Sequence, residues 1–176
     1  VKNDPEATYT MLQTGGAGDN VIMREGNLVN KGTGKNYGVE FTIEKFMSKN
    51  YYLLFNSTIY RSTYTNGFNK KEWSTIFDGK FLFNLASGYE MQLKKGWTLF
   101  TDAKGSLAGG TRYTPVLEDQ SRMEHKVVYD NTRVNELQVR NYFRMDLRIG
   151  YRKNRKRFTD EFFIDLQNLT DRKNLY

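Results

Sequence analysis

The stretch that most constrains this chain is Tyr142 to Arg152, where residue character alternates without a break. Phe143, Met145, Leu147, Ile149 and Tyr151 are apolar, while Arg144, Asp146, Arg148 and Arg152 are charged, with Gly150 among them. Successive side chains of a β-strand point to opposite faces, so this segment carries one apolar and one charged face. The charged face is content in water. The apolar face needs a partner, and either a second protein layer or a lipid bilayer can supply it.

The same period of two recurs along the chain. It marks strands at Tyr37 to Glu44, Tyr51 to Tyr64, Phe77 to Leu93, Trp97 to Gly109, Tyr142 to Arg152 and Phe158 to Leu169. In the third of these, Phe77, Phe81, Phe83, Leu85, Tyr89, Met91 and Leu93 share one face, and Asp78, Lys80, Asn84, Glu90 and Gln92 the other. Tight turns are expected at Ser48-Lys49-Asn50, Lys94-Lys95-Gly96 and Asn154 to Arg157. A polar loop around Asn66-Gly67 fills residues 65–75, and a long loop fills 111–141. Loops of that length are usually functional or disordered. No helical periodicity of useful length competes. The expected fold is all-β, with antiparallel up-and-down strands, short turns at one end and long loops at the other.

Ahead of these strands, residues 1–30 are polar and carry Gly15, Gly16 and Gly18. They suggest a loop with short extensions at Tyr9 to Leu12, Val21 to Met23 and Leu28-Val29. Lys31-Gly32-Thr33-Gly34-Lys35 invites a phosphate-binding reading, but such a loop must follow a strand and open a helix. A strand follows here instead, so the glycines are assigned to a bend or bulge. The chain opens Val1-Lys2-Asn3-Asp4-Pro5 without an initiating methionine or signal peptide, as expected of a segment of a longer protein.

Composition narrows the classes. Aromatic residues make up 15% of the chain, with twelve Tyr and twelve Phe, which suits strands. The mean hydropathy of -0.72 argues against a helical membrane protein, and the longest apolar run extends only from Tyr51 to Phe55. Neither fact bears against a membrane barrel, where only alternate residues meet lipid. A net charge of +7 permits anionic partners. The basic residues are scattered except at Lys153, Arg155, Lys156 and Arg157, where a solvated turn is the plainer reading, and no nucleic-acid partner is expected. The absence of cysteine removes disulfides and thiolate metal sites.

Two architectures fit. A soluble β-sandwich or barrel that binds a ligand would put the apolar face inside, and a transmembrane barrel would put it outside around a polar lumen. The strands are long enough to cross about 25 Å of hydrocarbon, which takes about 9–11 tilted residues. Short turns on one side and long loops on the other match such a barrel. Aromatic residues near the strand ends, among them Tyr37, Phe46, Tyr51, Trp97, Tyr151 and Phe158, could form interfacial girdles or simply follow strand propensity.

Several segments add a resemblance. Asn30 to Phe46 (NKGTGKNYGVEFTIEKF) resembles a strand of TonB-dependent outer-membrane receptors, in the subgroup with a carboxypeptidase-regulatory-like N-terminal domain. Ala108 to Pro115 is similar to a segment entering a long extracellular loop in those proteins. Tyr142 to Arg148 and Asp165 to Asn174, with its Asn168-Leu169-Thr170-Asp171 run, resemble late barrel strands. The resemblance runs from Tyr9 on. It implies a barrel of about 22 strands around a plug. It also implies TonB-energised uptake of a scarce nutrient such as a metal chelate, cobalamin, glycan or peptide, in the outer membrane of a Gram-negative bacterium. Residues 1–176 then correspond to a late C-terminal portion of the barrel, without the plug or the last strands. The implied partners are outer-membrane lipid, the rest of the barrel and its plug, the TonB complex and a surface lipoprotein.

No catalytic constellation stands out, and neither enzymatic activity nor a cofactor is expected. The single histidine, His125, sits in the long loop beside Glu124 and Lys126, where a metal site would need carboxylates alone around it. Glu40 and Glu44 share a strand face, as do Arg144, Asp146 and Arg148. Their expected role is to line the lumen, with charges paired across strands or to a plug. Ligand contacts are expected on the outer loops, where Arg112, Tyr113, Tyr129 and Arg133 are the candidates. The apolar Leu147 is expected to face lipid.

Overall fold

The computed structural model describes residues 31–65 and 71–175. The extensions expected before residue 31 and the Asn66-Gly67 turn lie outside the described residues. The strands are β1 (Thr33–Ser48), β2 (Tyr51–Thr65), β3 (Glu72–Ser74), β4 (Phe81–Gln92), β5 (Trp97–Ala108), β6 (Arg112–Tyr113), β7 (Leu137–Gln138), β8 (Tyr142–Asn154) and β9 (Thr159–Leu166). One short helix, α1 (Glu118–Glu124), lies between β6 and β7.

The six long strands form one open antiparallel sheet in the order β1-β2-β4-β5-β8-β9, and β3 adds to the far end of β2. The all-β, up-and-down expectation therefore holds. Among the described residues, the outer edges of β1 and β9 carry no pairing strand. The three tight turns lie at one end. The connections 71–80 and 109–141 lie at the other, with the segment after β9.

Local chemistry sets the turns. Between β1 and β2, Lys49 (φ 49°) and Asn50 (φ 72°) both adopt positive φ, as a primed hairpin turn demands. Lys45 seals this hairpin by donating to the Ser48 and Tyr51 carbonyls, both at 2.8 Å. A register shift between Lys45 and Ser48 accommodates the closure. At the next turn, Lys94–Gly96, positive φ falls on Lys95 and Gly96.

Register then puts every apolar run on the same side. Ile43, Phe55, Leu85 and Gly105 lie in one row, and Tyr89, Thr101, Ile149 and Ile164 in another. This apolar face stays uncovered by the described residues. Val39 is 72% exposed at one edge of the sheet and Ile164 68% exposed at the other. Most buried side chains gather instead at the long-loop end, where Tyr64, Trp73 and Val134 form a small cluster; Thr98 and Phe100, just after the Lys94–Gly96 turn, are the exceptions.

Four expectations need correction. The polar loop expected over 65–75 contains β3, which pairs with the end of β2. Gly34 makes no bulge but pairs with Tyr64 in regular register, the one shift of this ladder lying between Lys45 and Ser48. The strand anticipated from Phe77 begins only at Phe81, because Asp78-Gly79 is a turn pair and Lys80 has φ 77°. Phe77, Asp78 and Lys80 therefore belong to the connection and not to the faces of β4. Within 111–141, β6 and β7 pair with each other, Val116 bridges Tyr129, and α1 fills the tip, so this segment has secondary structure of its own.

Candidate functional site

Two polar assemblies stand out. The first lies on the polar face of the sheet. Register aligns Tyr52, Gly88, Asp102, Arg148 and Asp165 in a row across β2, β4, β5, β8 and β9. The Tyr52 hydroxyl donates to Asp102 Oδ1 at 2.9 Å, passing over Gly88. A Cβ at Gly88 would overlap both the Tyr52 ring and the Asp102 carboxylate, so only glycine fits beneath this contact. Farther along the row, Arg148 Nη2 donates to Asp165 Oδ2 at 3.0 Å, and its guanidinium lies 4.5 Å from the Phe163 ring centre.

Flanking contacts continue the pattern. Arg144 Nε donates to Asp146 Oδ1 at 2.7 Å, and Asp146 also accepts the Asn168 N–H at 2.8 Å. Arg152 reaches across to Glu90, beside the Phe100 ring. Of the residues expected to line a lumen, Arg144, Asp146 and Arg148 thus lie together on one face and are ion-paired. Glu40 and Glu44 are on the same face of β1 but solvent-exposed, with no ion pair among the described residues. Glu40 borders an open cleft of about 530 Å³ shared with Asn36, Thr58, Tyr60 and Arg61.

The second assembly joins the two long connections. Asp78 is fully buried. Its Oδ1 accepts the Ser62 N–H at 2.9 Å, and its Oδ2 accepts the Ser74 hydroxyl at 3.0 Å. Arg112 Nε lies 3.1 Å from the same carboxylate, and Arg61 stands at 3.7 Å. Nη1 of Arg112 donates to the carbonyls of Asn135 and Glu136, and Asn135 Nδ2 donates to the Ser74 carbonyl at 2.9 Å. A buried charge is tolerated when it is paired and hydrogen-bonded, and Asp78 is both. Beside it, the backbones of Gly79 and Gly109 approach so closely that a Cβ on Gly109 would overlap the Gly79 carbonyl.

The four candidate ligand contacts fare differently. Arg112 is the internal clamp just described. Arg133 forms a two-point ion pair with Glu136, at 3.0 and 2.9 Å, on the exposed surface. Its guanidinium holds the Glu136 carboxyl below the usual carboxylate range. Hydrogen bonds from Thr132 do the same for Asp130. Tyr113 and Tyr129 are about half exposed on the hairpin that carries α1. The four do not converge on a single pocket. His125 caps α1 in the left-handed region, φ 51°, and is exposed. Among the described residues, no three His, Cys, Asp or Glu side chains are grouped to hold a metal.

Asp78 escaped a role in the sequence because its parity matched the polar face of a strand. The Asp78-Gly79 turn pair was the available signal. No protein-family model matches the chain, and no curated protein and no solved structure matches it either.

Proposed function

We propose that this chain forms part of the β-barrel of a TonB-dependent outer-membrane receptor, which takes up a scarce nutrient such as a metal chelate, cobalamin, glycan or peptide. The observation that carries the reading is the apolar face. It spans all six long strands and is uncovered by the described residues, while on the opposite face Arg144, Arg148 and Arg152 are ion-paired with Asp146, Asp165 and Glu90. Lipid would cover such a face, and a water-filled lumen would solvate the other. The likeness of Asn30 to Phe46 and of Asp165 to Asn174 to strands of those receptors gives the family. On this reading the tight turns face the periplasm and the Asp78–Arg112 clamp stands at the outer mouth. The unpaired edges of β1 and β9 continue into neighbouring strands of the same barrel, since an open edge is not tolerated in hydrocarbon.

Cysteine labelling in intact cells tests the topology: residues 1–176 have no native cysteine, and any cysteine elsewhere in the full-length protein is replaced by serine. With the full-length protein expressed, Met123→Cys should react with a membrane-impermeant maleimide and Lys156→Cys should react only after the outer membrane is opened. Recovery in the soluble fraction, or equal labelling at the two positions in intact cells, would overturn the reading.

A further inference from the structure

We propose that the short-turn end of the apolar face holds an anionic phospholipid, with its phosphate among lysines and an acyl chain against an aromatic wall. This rests on the membrane reading above. An open cleft of about 590 Å³ lies there between β5, β8 and β9, lined by Leu93, Lys94, Trp97, Tyr151 and Phe162. Apolar and aromatic groups make up its walls, and a lysine stands at its mouth. The Lys153 ammonium sits 5.2 Å from the Trp97 ring centre, on the same face.

Charge around this cleft is one-sided. Lys94, Lys95, Lys156 and Arg157 are exposed in the two turns that flank it, and none has an ion pair among the described residues. Among the described residues, Asp160 is the one carboxylate that register places on this end of the apolar face, and Arg155 occupies it at 2.6 Å. A zwitterionic headgroup would find no free acid for its amine. A phosphate anion would find several free cations, each strengthening attachment to an anionic lipid surface. Free phosphate could use the lysines but not the walls. A phospholipid uses both, because lysine stems lie along apolar surface while the ammonium groups meet the headgroup level. Trp97 and Tyr151 are the residue types that settle at that level.

The test uses Trp97 as the reporter. The full-length protein is reconstituted in phosphatidylcholine vesicles containing a minor fraction of brominated phosphatidylglycerol, or the same fraction of brominated phosphatidylcholine. Emission lost on Trp97→Phe isolates the signal. Quenching by the anionic lipid should exceed quenching by the neutral one several-fold, and Lys94→Ala or Lys153→Ala should each reduce the excess, by roughly fivefold at most. Equal quenching by both lipids overturns the anionic site and leaves the membrane reading standing. Absence of quenching by either lipid overturns both. If inorganic phosphate removes the excess at matched ionic strength, the site belongs to free phosphate and the lipid assignment falls.

Discussion

The two ends of the sheet share six strands and little else. At the long-loop end, Tyr64, Trp73 and Val134 are buried together, Asp78 is fully enclosed, and the connections 71–80 and 109–141 are bonded to each other. Acids and bases there are nearly balanced. At the tight-turn end no such cluster exists among the described residues, most large side chains other than the buried Phe100 are exposed or half-exposed, and the charged residues of the three turns themselves are all basic. One end is stabilised by what the chain packs against itself. On the membrane reading proposed above, the other depends on its surroundings, and a single sheet draws its stability from burial at one rim and from the medium at the other.

The largest expected effect breaks the self-contained end. Asp78→Ala removes the acceptor for Ser62 and Ser74 and leaves Arg112 buried without its counter-charge. That should cost about 3–5 kcal/mol, the range for a broken buried pair. Denaturant unfolding, with protease cleavage within 109–141 as a local readout, measures it. A loss under about 1 kcal/mol would mean that Asp78 is no clamp.

Next comes a change whose size depends on the medium. Ile149 is 46% exposed near the middle of the apolar face. Ile149→Arg should destabilise the protein by about 2–4 kcal/mol in vesicles if that position sits near the midplane. An exposed surface site in water would shift by no more than about 0.5 kcal/mol. Urea titration of the vesicle-inserted protein separates the two, and a negligible shift would contradict lipid contact.

The smallest effect lies in the loop and follows pH. Thr132 holds the Asp130 carboxyl, and Arg133 the Glu136 carboxyl, below the ordinary carboxylate range. A depressed folded value means the contribution is fully present above the unfolded value, near pH ~4, and is lost as pH falls below it. Asp130 is partly and Glu136 largely accessible to solvent, so the change should be local and slight. Hydrogen exchange at the Thr132 amide, which donates to Asp130 Oδ1 at 3.0 Å, should lose protection between about pH 5 and 3 after correction for intrinsic rates. Unchanged protection would show that the carboxylate does not order this turn.

What the sequence made legible was whatever depends on short-range periodicity. Phe41 and Ile43, or Met145 and Ile149, declare their face by parity alone, and Lys49-Asn50 and Lys95-Gly96 declare turns by composition. Once those turns are short, register follows, and Arg148 meets Asp165. The start of β4 was hidden because Phe77, Gly79 and Phe81 keep the same parity across a turn. Inside 111–141 the decisive contacts join residues far apart in the chain. Arg112 therefore looked like a loop residue awaiting a ligand, although its guanidinium meets Asp78, 34 positions away. Pairs as short as Arg112-Tyr113 with Leu137-Gln138 have no period to detect.

The row from Tyr52 over Gly88 to Asp102, Arg148 and Asp165 also discriminates between right and wrong assembly. A strand that joined its neighbour one residue out of step would invert its faces. For β8 that error would turn Arg144, Asp146, Arg148 and Arg152 toward the apolar side and take Arg148 from Asp165. A two-residue error would keep the faces but set Asp102 opposite a residue other than Arg148, and would move Gly88 from beneath the tyrosine ring. The row therefore acts as an alignment key, whose teeth engage across five strands only when every strand has entered in step.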